Sequence, residues 1–386
     1  MIEKNKGEDK MANVLTNVTV YTGEEKIEDA FIRFSEEILV IGKMSDYKKE
    51  AADQEKDASG KIILPGFIDV HSHGGYSYDN MDGDSEEINQ MIQEMYKEGI
   101  TSYFATTMTQ SYENIDKALI AINKAAKKNP VIQGIHLEGP FVSTVFKGAQ
   151  PEQYIRVPDA KQMEKWNKLS GNRIRLVTYA PETSDASAFE DYCINHNIVL
   201  SIGHSNATRA QLMDAKASHI THLYNAQRGL HHREPGVTGH AFLEDSIYAE
   251  MIVDGYHIHP DMVNLAYKVK GPDRIEVITD SMRAKGLPDG ESELGGQKVI
   301  VKNNQARLED GTLAGSVLTY NDAFKNIMAF TGCSIEDVVK MTSGNQAREF
   351  GLTKKGSLKA GNDADMVLMN HDFDVEHTFS FGEMVY

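Results

Sequence analysis

Two histidines separated by one residue, His71 and His73, end an apolar run in the motif DVHSHGG. Side chains alternate between the two faces of a β-strand, so both imidazoles are expected to point the same way. Imidazoles that converge on one point are typical ligands of a metal ion such as zinc. A His-x-His pair also arises from composition or in a turn, so the interpretation depends on whether further ligands gather nearby.

The two histidines and the other candidate metal ligands lie within or close to the ends of eight apolar runs that are rich in β-branched residues. In chain order they are KIILPGFIDV, TSYFATT, VIQGIHL, RIRLVTYA, IVLSIGH, SHITHLY, AEMIVDG and RIEVITD. Near-continuous hydrophobicity is typical of parallel strands that are covered on both faces. Amphipathic helical sequence separates most of the runs, as in residues 84–99, where Asp84 and Glu87 have capping-box spacing. The alternation predicts an α/β fold, a (β/α)8 TIM-type barrel over residues 61–350.

The two ends of the chain follow a different pattern. Short alternating stretches such as VLTNVTVYT and ILVIGK precede the barrel, and the segment from GSLKAGNDADMVLMN onward is similar. We expect residues 1–60 and 351–386 to pair in a small β-sandwich domain. Residues 223–248 are rich in glycine and histidine with little helical periodicity, and such a long irregular loop in a barrel is usually functional.

Six candidate ligands lie at the carboxyl ends of the predicted strands, where barrel enzymes have their active sites. They are His71 and His73 on the first strand, Glu138 on the third, His204 on the fifth, His222 on the sixth and Asp280 on the eighth. Each has a structural explanation by itself, such as a buried, hydrogen-bonded histidine or a helix cap. Only a metal site explains why all six share one rim, and imidazole with carboxylate suits zinc or iron. The role of His136, inside its strand, stays open.

Composition limits the classes of partner. A formal net charge of −17 over 386 residues argues against nucleic acid and anionic membranes, although local groups can still bind a small anionic substrate. The amino-terminal MIEKNKGEDKM lacks an apolar signal core, and no apolar run is long enough for a bilayer, so a cytoplasmic location is expected. Cys193 and Cys333 are expected to be free thiols, with a single disulfide as the alternative.

The motifs PGFIDVHSHGG, HLEGPF, GHSNAT, THLYNA, REPG, DGYH, TDS and LAGSVLT resemble, in order, those of the N-acetylglucosamine-6-phosphate deacetylases of the amidohydrolase superfamily. The resemblance implies hydrolysis of N-acetyl-D-glucosamine 6-phosphate to D-glucosamine 6-phosphate and acetate. The alternatives are the galacto substrate, another cyclic-amide amidohydrolase, or a sugar-phosphate binding protein that has lost activity. The resemblance also implies that Glu138, His204 and His222 bind the principal divalent metal and that Asp280 is the catalytic acid/base. The intact His-x-His pair favours a second metal, and zinc or iron is expected, with manganese or cobalt as alternatives.

Residues around the predicted metal are expected to bind the substrate: Ala149, Gln150, Asn225, Ala226, Arg233, His257, Leu313, Ala314 and Gly315. The guanidinium of Arg233 suits phosphate oxygens, although a surface ion pair is the alternative. The resemblance further implies a homodimer in which Arg233 reaches the neighbouring subunit's substrate. Gln150 stands where many family members have a histidine, so either a second metal or the Gln150 amide would polarise the acetyl carbonyl. Ser281 stands where alanine is usual.

Overall fold

The computed structural model describes residues 11–386, in which strands and helices alternate through the central part of the chain. The strands are β1 Ala12–Tyr21, β2 Lys26–Phe34, β3 Ile38–Lys43, β4 Asp53–Asp57, β5 Ile62–Pro65, β6 Phe67–Ser72, β7 Gly74–Gly75, β8 Tyr78–Asp79, β9 Ile100–Thr107, β10 Ile132–Glu138, β11 Ile174–Tyr179, β12 Val199–Ile202, β13 His219–Ile220, β14 Tyr248–Ile252, β15 Ile275–Ile278, β16 Gly290–Leu294, β17 Gln297–Lys302, β18 Gln305–Leu308, β19 Met366–Met369, β20 Val375–Ser380 and β21 Glu383–Met384. The helices are α1 Ser85–Met95, α2 Tyr112–Ala126, α3 Ala160–Leu169, α4 Ser187–Asn195, α5 Arg209–Asp214, α6 Gly236–Leu243, α7 Pro260–Lys270, α8 Tyr320–Thr331, α9 Ile335–Val339 and α10 Asn345–Glu349.

An eight-stranded parallel sheet, in the order β6-β9-β10-β11-β12-β13-β14-β15, forms the barrel. Its first and last strands meet just beyond their carboxyl ends. The backbone N–H of Asp280 donates to the carbonyl oxygen of His71 at 2.8 Å, and the N–H of His73 donates to that of Ser281 at 2.8 Å. The predicted (β/α)8 barrel is confirmed, and its closure brings the His-x-His motif beside Asp280.

The run KIILPGFIDV, expected to be one barrel strand, is two strands in two sheets. β5 pairs with β1 and β19, whereas β6 pairs with β9 inside the barrel. Gly66 separates them, and a Cβ there would lie only 2.1 Å from the Oγ1 atom of Thr101. Sheet β21-β20-β19-β5-β1-β2-β3, with β4 on β1, therefore contains both ends of the described chain, which confirms that the ends form a small β domain.

Helix α1 shows how the outer helices attach to the barrel. The Asp84 side chain accepts hydrogen bonds from the N–H groups of Glu86 and Glu87 and so begins the helix. Buried apolar residues recur at three- and four-residue spacing and face the strands: Ile88, Met91, Ile92 and Met95. Within residues 11–386, none of the helices has the length and apolar character needed to cross a bilayer.

Two elements differ from the sequence-based expectation, and both border the site. Residues 223–248 were expected to be irregular but contain α6, whose residues 236–241 are all buried. A helical segment that is buried over its first six residues lacks the polar–apolar alternation that reveals helices in a sequence. The second element is the antiparallel sheet β16-β17-β18. Its buried residues, including Leu294 and Val299, pack in one cluster with Met108 and Met282.

Candidate metal centre and active site

Three side chains at the ends of β10, β12 and β13 converge at the carboxyl end of the barrel, and we call them the three-ligand group: Glu138, His204 and His222. The Oε1 atom of Glu138 lies 3.1 Å from the Nε2 atoms of both histidines, and these nitrogens lie 3.1 Å apart. Ligand atoms about 2.1 Å from a shared cation are separated by roughly 3–3.5 Å. The triangle therefore has the size that one divalent metal ion requires.

The tautomer of His204 also fits metal binding. Its Nδ1 atom lies 3.1 Å from the carbonyl oxygen of Phe146, which can only accept a hydrogen bond. The proton must therefore be on Nδ1, which leaves a lone pair on Nε2, the atom that points at Glu138 and His222.

A second group adjoins the first, and we call it the His-x-His group: His71, His73 and Asp280. The Oδ1 atom of Asp280 lies 3.4 Å from the Nε2 atom of His71 and 3.3 Å from that of His73. The Nε2 atom of His71 is buried without a hydrogen-bond partner, as expected of a metal ligand that points at its cation. The Oε2 atom of Glu138 lies 3.1 Å from His73, so this carboxylate stands between the two groups.

Three of these residues have a left-handed backbone, with φ of 48° at His204, 31° at His222 and 47° at Asp280. Such a conformation costs a non-glycine residue about 1–3 kcal/mol and is concentrated at functional sites. All three residues lie just after barrel strands. The backbone there turns sharply, and the side chains point towards a common centre.

Glu250 is a site residue that sequence analysis missed. Its Oε2 atom lies 2.8 Å from the Nδ1 atom of His71 and accepts a hydrogen bond of 3.0 Å from the backbone N–H of His222. One carboxylate therefore orients the ring of one candidate ligand and the backbone of another, as second partners of metal-bound histidines commonly do. The signal in the sequence was a glutamate in the middle of the apolar run AEMIVDG, where a charge is costly unless it is paired.

The carboxylates of the site remain ionised despite their burial. Burial raises the pKa of Glu138, but His71, His204 and His222 outweigh it, and the pKa is well below its usual range. Burial likewise opposes ionisation of Asp280, whose pKa is lowered by His71 and His73. Both groups are therefore available as anions, either for a cation or for a proton.

His136, whose role was open, lies inside the barrel beneath the site. Burial and the neighbouring His71 hold the pKa of His136 well below its usual value, so its ring is neutral. Its Nε2 atom lies 2.7 Å from the hydroxyl of Thr178, and its ring centroid lies 4.4 Å from that of His71. These contacts place it against the rear of His71 and not among the residues that line the pocket.

A pocket of about 650 Å³, including its open mouth, lies directly over both groups. Most of the predicted substrate-binding residues line it: Ala149, Gln150, Asn225, Ala226, His257, Leu313 and Gly315. Four further lining residues, Met108, Gly148, Leu294 and Thr312, were not identified from the sequence. They lie in loops and in β16. No local sequence pattern predicts that these segments fold over the rim of the barrel. Such a volume suits a small ligand of the size of a sugar phosphate.

Gln150 and His257 are held in place by polar contacts. The Gln150 amide donates to the Oε2 atom of Glu138 at 2.9 Å and accepts from the backbone N–H of Thr109 at 2.9 Å. The Nδ1 atom of His257 lies 2.7 Å from the carboxylate of Asp254. Both side chains therefore present a fixed face to the pocket.

Three residues singled out from the sequence do not line this pocket. Ala314 is completely buried behind its neighbours, and the Ser281 hydroxyl lies 2.9 Å from that of Ser72 in the barrel wall. Arg233 is exposed on the surface, where its Nη1 atom lies 2.8 Å from the Nε2 atom of His232. The described chain therefore does not bring Arg233 to its own site.

The chain matches the amidohydrolase family over residues 62–385. The N-acetylglucosamine-6-phosphate deacetylases of Bacillus subtilis (strain 168) and Lysinibacillus sphaericus are 40% and 41% identical to it, covering 97% and 96% of this chain and 97% of each relative. The chain is also similar to a solved structure of a mutant N-acetylglucosamine-6-phosphate deacetylase from Mycobacterium smegmatis in complex with N-acetyl-D-glucosamine 6-phosphate. The TM-score is 0.91 and the sequence identity is 30%, and the match covers 97% of this chain and 99% of that chain.

This chain therefore belongs to the amidohydrolase family, and within it to the N-acetylglucosamine-6-phosphate deacetylases. The family predicted from the motifs is confirmed. Amidohydrolases are metal-dependent hydrolases, and the groups of histidine, aspartate and glutamate described above can bind a metal ion.

Proposed function

We propose that this chain hydrolyses the amide bond of N-acetyl-D-glucosamine 6-phosphate, releasing acetate and D-glucosamine 6-phosphate in amino-sugar catabolism or recycling. The observation that carries the proposal is the carboxylate of Asp280 beside two groups of metal-ligand residues, at the base of a pocket of sugar-phosphate size. The galacto substrate is not favoured, because the relatives that are 40% and 41% identical are both named for the gluco substrate.

Hydrolysis of an amide needs an activated water and a protonated leaving nitrogen. A divalent cation held by the three-ligand group would lower the pKa of water and polarise the acetyl carbonyl. Asp280 accepts a proton from the attacking water and then delivers it to the departing nitrogen. Its lowered pKa suits the first of these roles, because the resting group is a carboxylate.

The position of Gln150 indicates which side chain orients the acetyl oxygen of the substrate. One amide hydrogen of Gln150 is committed to Glu138, and the residue lines the pocket. We propose that its second amide hydrogen donates to the acetyl oxygen; a cation held by the His-x-His group would polarise the same carbonyl. The position of Glu138 between the two groups supports two metals per chain, zinc or iron, with manganese or cobalt as alternatives.

We propose that Asn225, Ala226 and His257 lie close to the phosphate and that Arg233 completes its binding from the partner subunit of a homodimer. Arg233 is exposed and does not line the pocket of its own chain. Such a position is expected of a residue that acts across a subunit interface. Exposed apolar side chains on its loop and on α6 and α7 support such an interface: Leu230, Leu243, Met262, Leu265 and Val269.

The remaining proposals concern organisation and location. We propose residues 1–60 and 351–386 as the small β domain and 61–350 as the catalytic barrel, except that β5 pairs within the sheet of the small domain. Residues 1–10 of the proposed range lie outside the described residues. A cytoplasmic location is supported by Cys193 and Cys333, which are both free thiols.

The test is an acetate-release assay on the purified, metal-loaded protein with the gluco and galacto substrates side by side. Asp280→Asn should keep the metal of the three-ligand group and lose about 10²- to 10⁴-fold in turnover, because it removes the proton-transferring group and no member of the three-ligand group. Full activity in this variant would exclude Asp280 from proton transfer. A metal-loaded wild-type protein that releases no acetate would favour the binding-protein alternative.

A further inference from the structure

A separate group of buried charged side chains lies at the opposite end of the barrel, and we call it the lower cluster: His219, Glu276 and Glu349. His219 begins β13, Glu276 is near the start of β15, and Glu349 ends α10. The Nδ1 atom of His219 lies 2.9 Å from the Oε2 atom of Glu349, and one ligand atom from each residue lies within 4.8 Å of the others. None of the three lines the active-site pocket.

The lower cluster contains an unusual concentration of unpaired polar atoms. The buried atoms without a hydrogen-bond partner include His219 Nε2, both carboxylate oxygens of Glu276, Glu349 Oε1 and Glu250 Oε1. His219 Nε2 and Glu250 Oε1 lie 3.2 Å apart as an ion pair, so each of these two atoms already has a charged partner. Each unpaired buried polar atom costs about 1–3 kcal/mol, and native proteins contain few of them. Three atoms remain without a partner, both carboxylate oxygens of Glu276 and the Oε1 atom of Glu349, and they indicate that the site binds a ligand which satisfies them.

The charges identify that ligand as a cation. β14 and β15 are in parallel register with Glu250 opposite Glu276, so two carboxylates lie side by side in the barrel wall. Glu250 has a partner in His71, and Glu349 has one in His219. Glu276 is fully buried without a cationic partner in the described structure, and burial together with the neighbouring Glu349 raises its pKa well above the usual range. A buried carboxylate needs a compensating charge or a proton.

We propose that the lower cluster binds one divalent transition-metal ion, separate from any metal at the active site. One imidazole and two carboxylates form a donor set that suits zinc or manganese. An entry path exists, because Glu349 also lines a surface cleft together with Ser218 and Phe350. The alternative is that Glu276 is protonated and that no ion binds.

Zinc counting separates these two cases. The full-length protein and its Glu276→Gln variant are loaded with zinc alone, passed through gel filtration and analysed for metal per chain. We expect the variant to contain one zinc fewer, with kcat/KM for deacetylation within about twofold of wild type. Glu190→Gln is a matched control, because Glu190 is also a buried carboxylate but accepts a hydrogen bond of 2.5 Å from Tyr179 outside the lower cluster. This control should keep the full zinc count.

A second measurement uses only the wild-type protein, in case Glu276→Gln does not fold. Anomalous scattering at the zinc edge from zinc-soaked wild-type crystals should give a peak between His219, Glu276 and Glu349. Anomalous density confined to the active site would overturn the proposal. So would a folded Glu276→Gln variant with an unchanged zinc count and a higher Tm, the result expected if Glu276 is protonated.

Discussion

Replacing Glu250 with glutamine should lower kcat/KM for deacetylation about 30-fold, although Glu250 does not line the pocket. The carboxylate holds two parts of the candidate metal centre at once: the ring of His71 at 2.8 Å and the backbone N–H of His222 at 3.0 Å. Glutamine has nearly the same size and keeps one carbonyl oxygen as an acceptor, but it removes the negative charge. The substitution therefore tests the charge of this group and leaves its volume unchanged.

The magnitude follows from these two hydrogen bonds. A hydrogen bond to a charged group contributes about 1.5–3 kcal/mol and a neutral one about 0.5–1.5 kcal/mol, so each bond weakens by roughly 1 kcal/mol. Two bonds give about 2 kcal/mol, which corresponds to roughly 30-fold. This value lies within the roughly 10- to 100-fold range found when the partners of metal-bound histidines are replaced.

The assay is acetate release at limiting and at saturating metal, with metal content and Tm measured on the same samples. We expect the loss to be greater at limiting metal, because a misoriented His71 weakens metal binding as well as catalysis. Glu190→Gln makes the same chemical change at a buried carboxylate that pairs with Tyr179, and it should retain nearly normal activity. A folded Glu250→Gln variant within twofold of wild type at limiting metal would refute the reasoning.

Three further predictions concern metal number, phosphate binding and stability. His71→Ala combined with His73→Ala should remove one metal per chain while the three-ligand group keeps its own, and retention of two metals would make the His-x-His pair merely structural. Arg233→Ala should raise KM for the phosphorylated sugar at least tenfold, with far less effect on unphosphorylated N-acetylglucosamine. Equal losses on both substrates, or a fully active monomer, would contradict an active site that is shared between two subunits. Lys285→Met should lower the free energy of unfolding by about 3–5 kcal/mol, since it leaves Glu98 buried without the ammonium now 2.9 Å away. Chemical denaturation measures this effect, and a loss below about 1 kcal/mol would contradict it.

The barrel and much of the site could be predicted because both follow from local patterns. Strands buried on both faces require continuous apolar runs, and the polar residue that ends such a run lies at the barrel rim. This pattern alone predicts that the members of the three-ligand group and the His-x-His group lie at one end of the barrel. The same logic failed for Ile62–Pro65, because a strand of the small β domain is as apolar as a barrel strand and continues directly into β6.

The remainder depended on contacts between segments far apart in the sequence. Helix α6 lacks periodicity because residues 236–241 are all buried. Strands β16–β18 reach the pocket only through packing with Met108 and Met282. Glu250 and Glu276 can be recognised in the sequence as charged residues inside apolar runs. The side chains that they contact, however, depend on the register of the strands. The closure of the barrel around them determines which side chains they meet.

The interior of this barrel is polar along much of its length, whereas TIM barrels are usually filled with branched apolar side chains. In the middle layer, hydroxyl groups satisfy one another: Thr178 lies 2.7 Å from Thr221, which in turn lies 2.5 Å from Ser201. Unpaired atoms occur above this layer at the Nε2 atom of His71, where a metal is expected, and below it in the lower cluster. Glu276 differs from these hydroxyls because it is a buried carboxylate, which requires either a bound cation or a proton. The unpaired Nε2 atom of His71 at the upper end belongs to a candidate metal ligand, and by the same reasoning we propose a cation at the lower end.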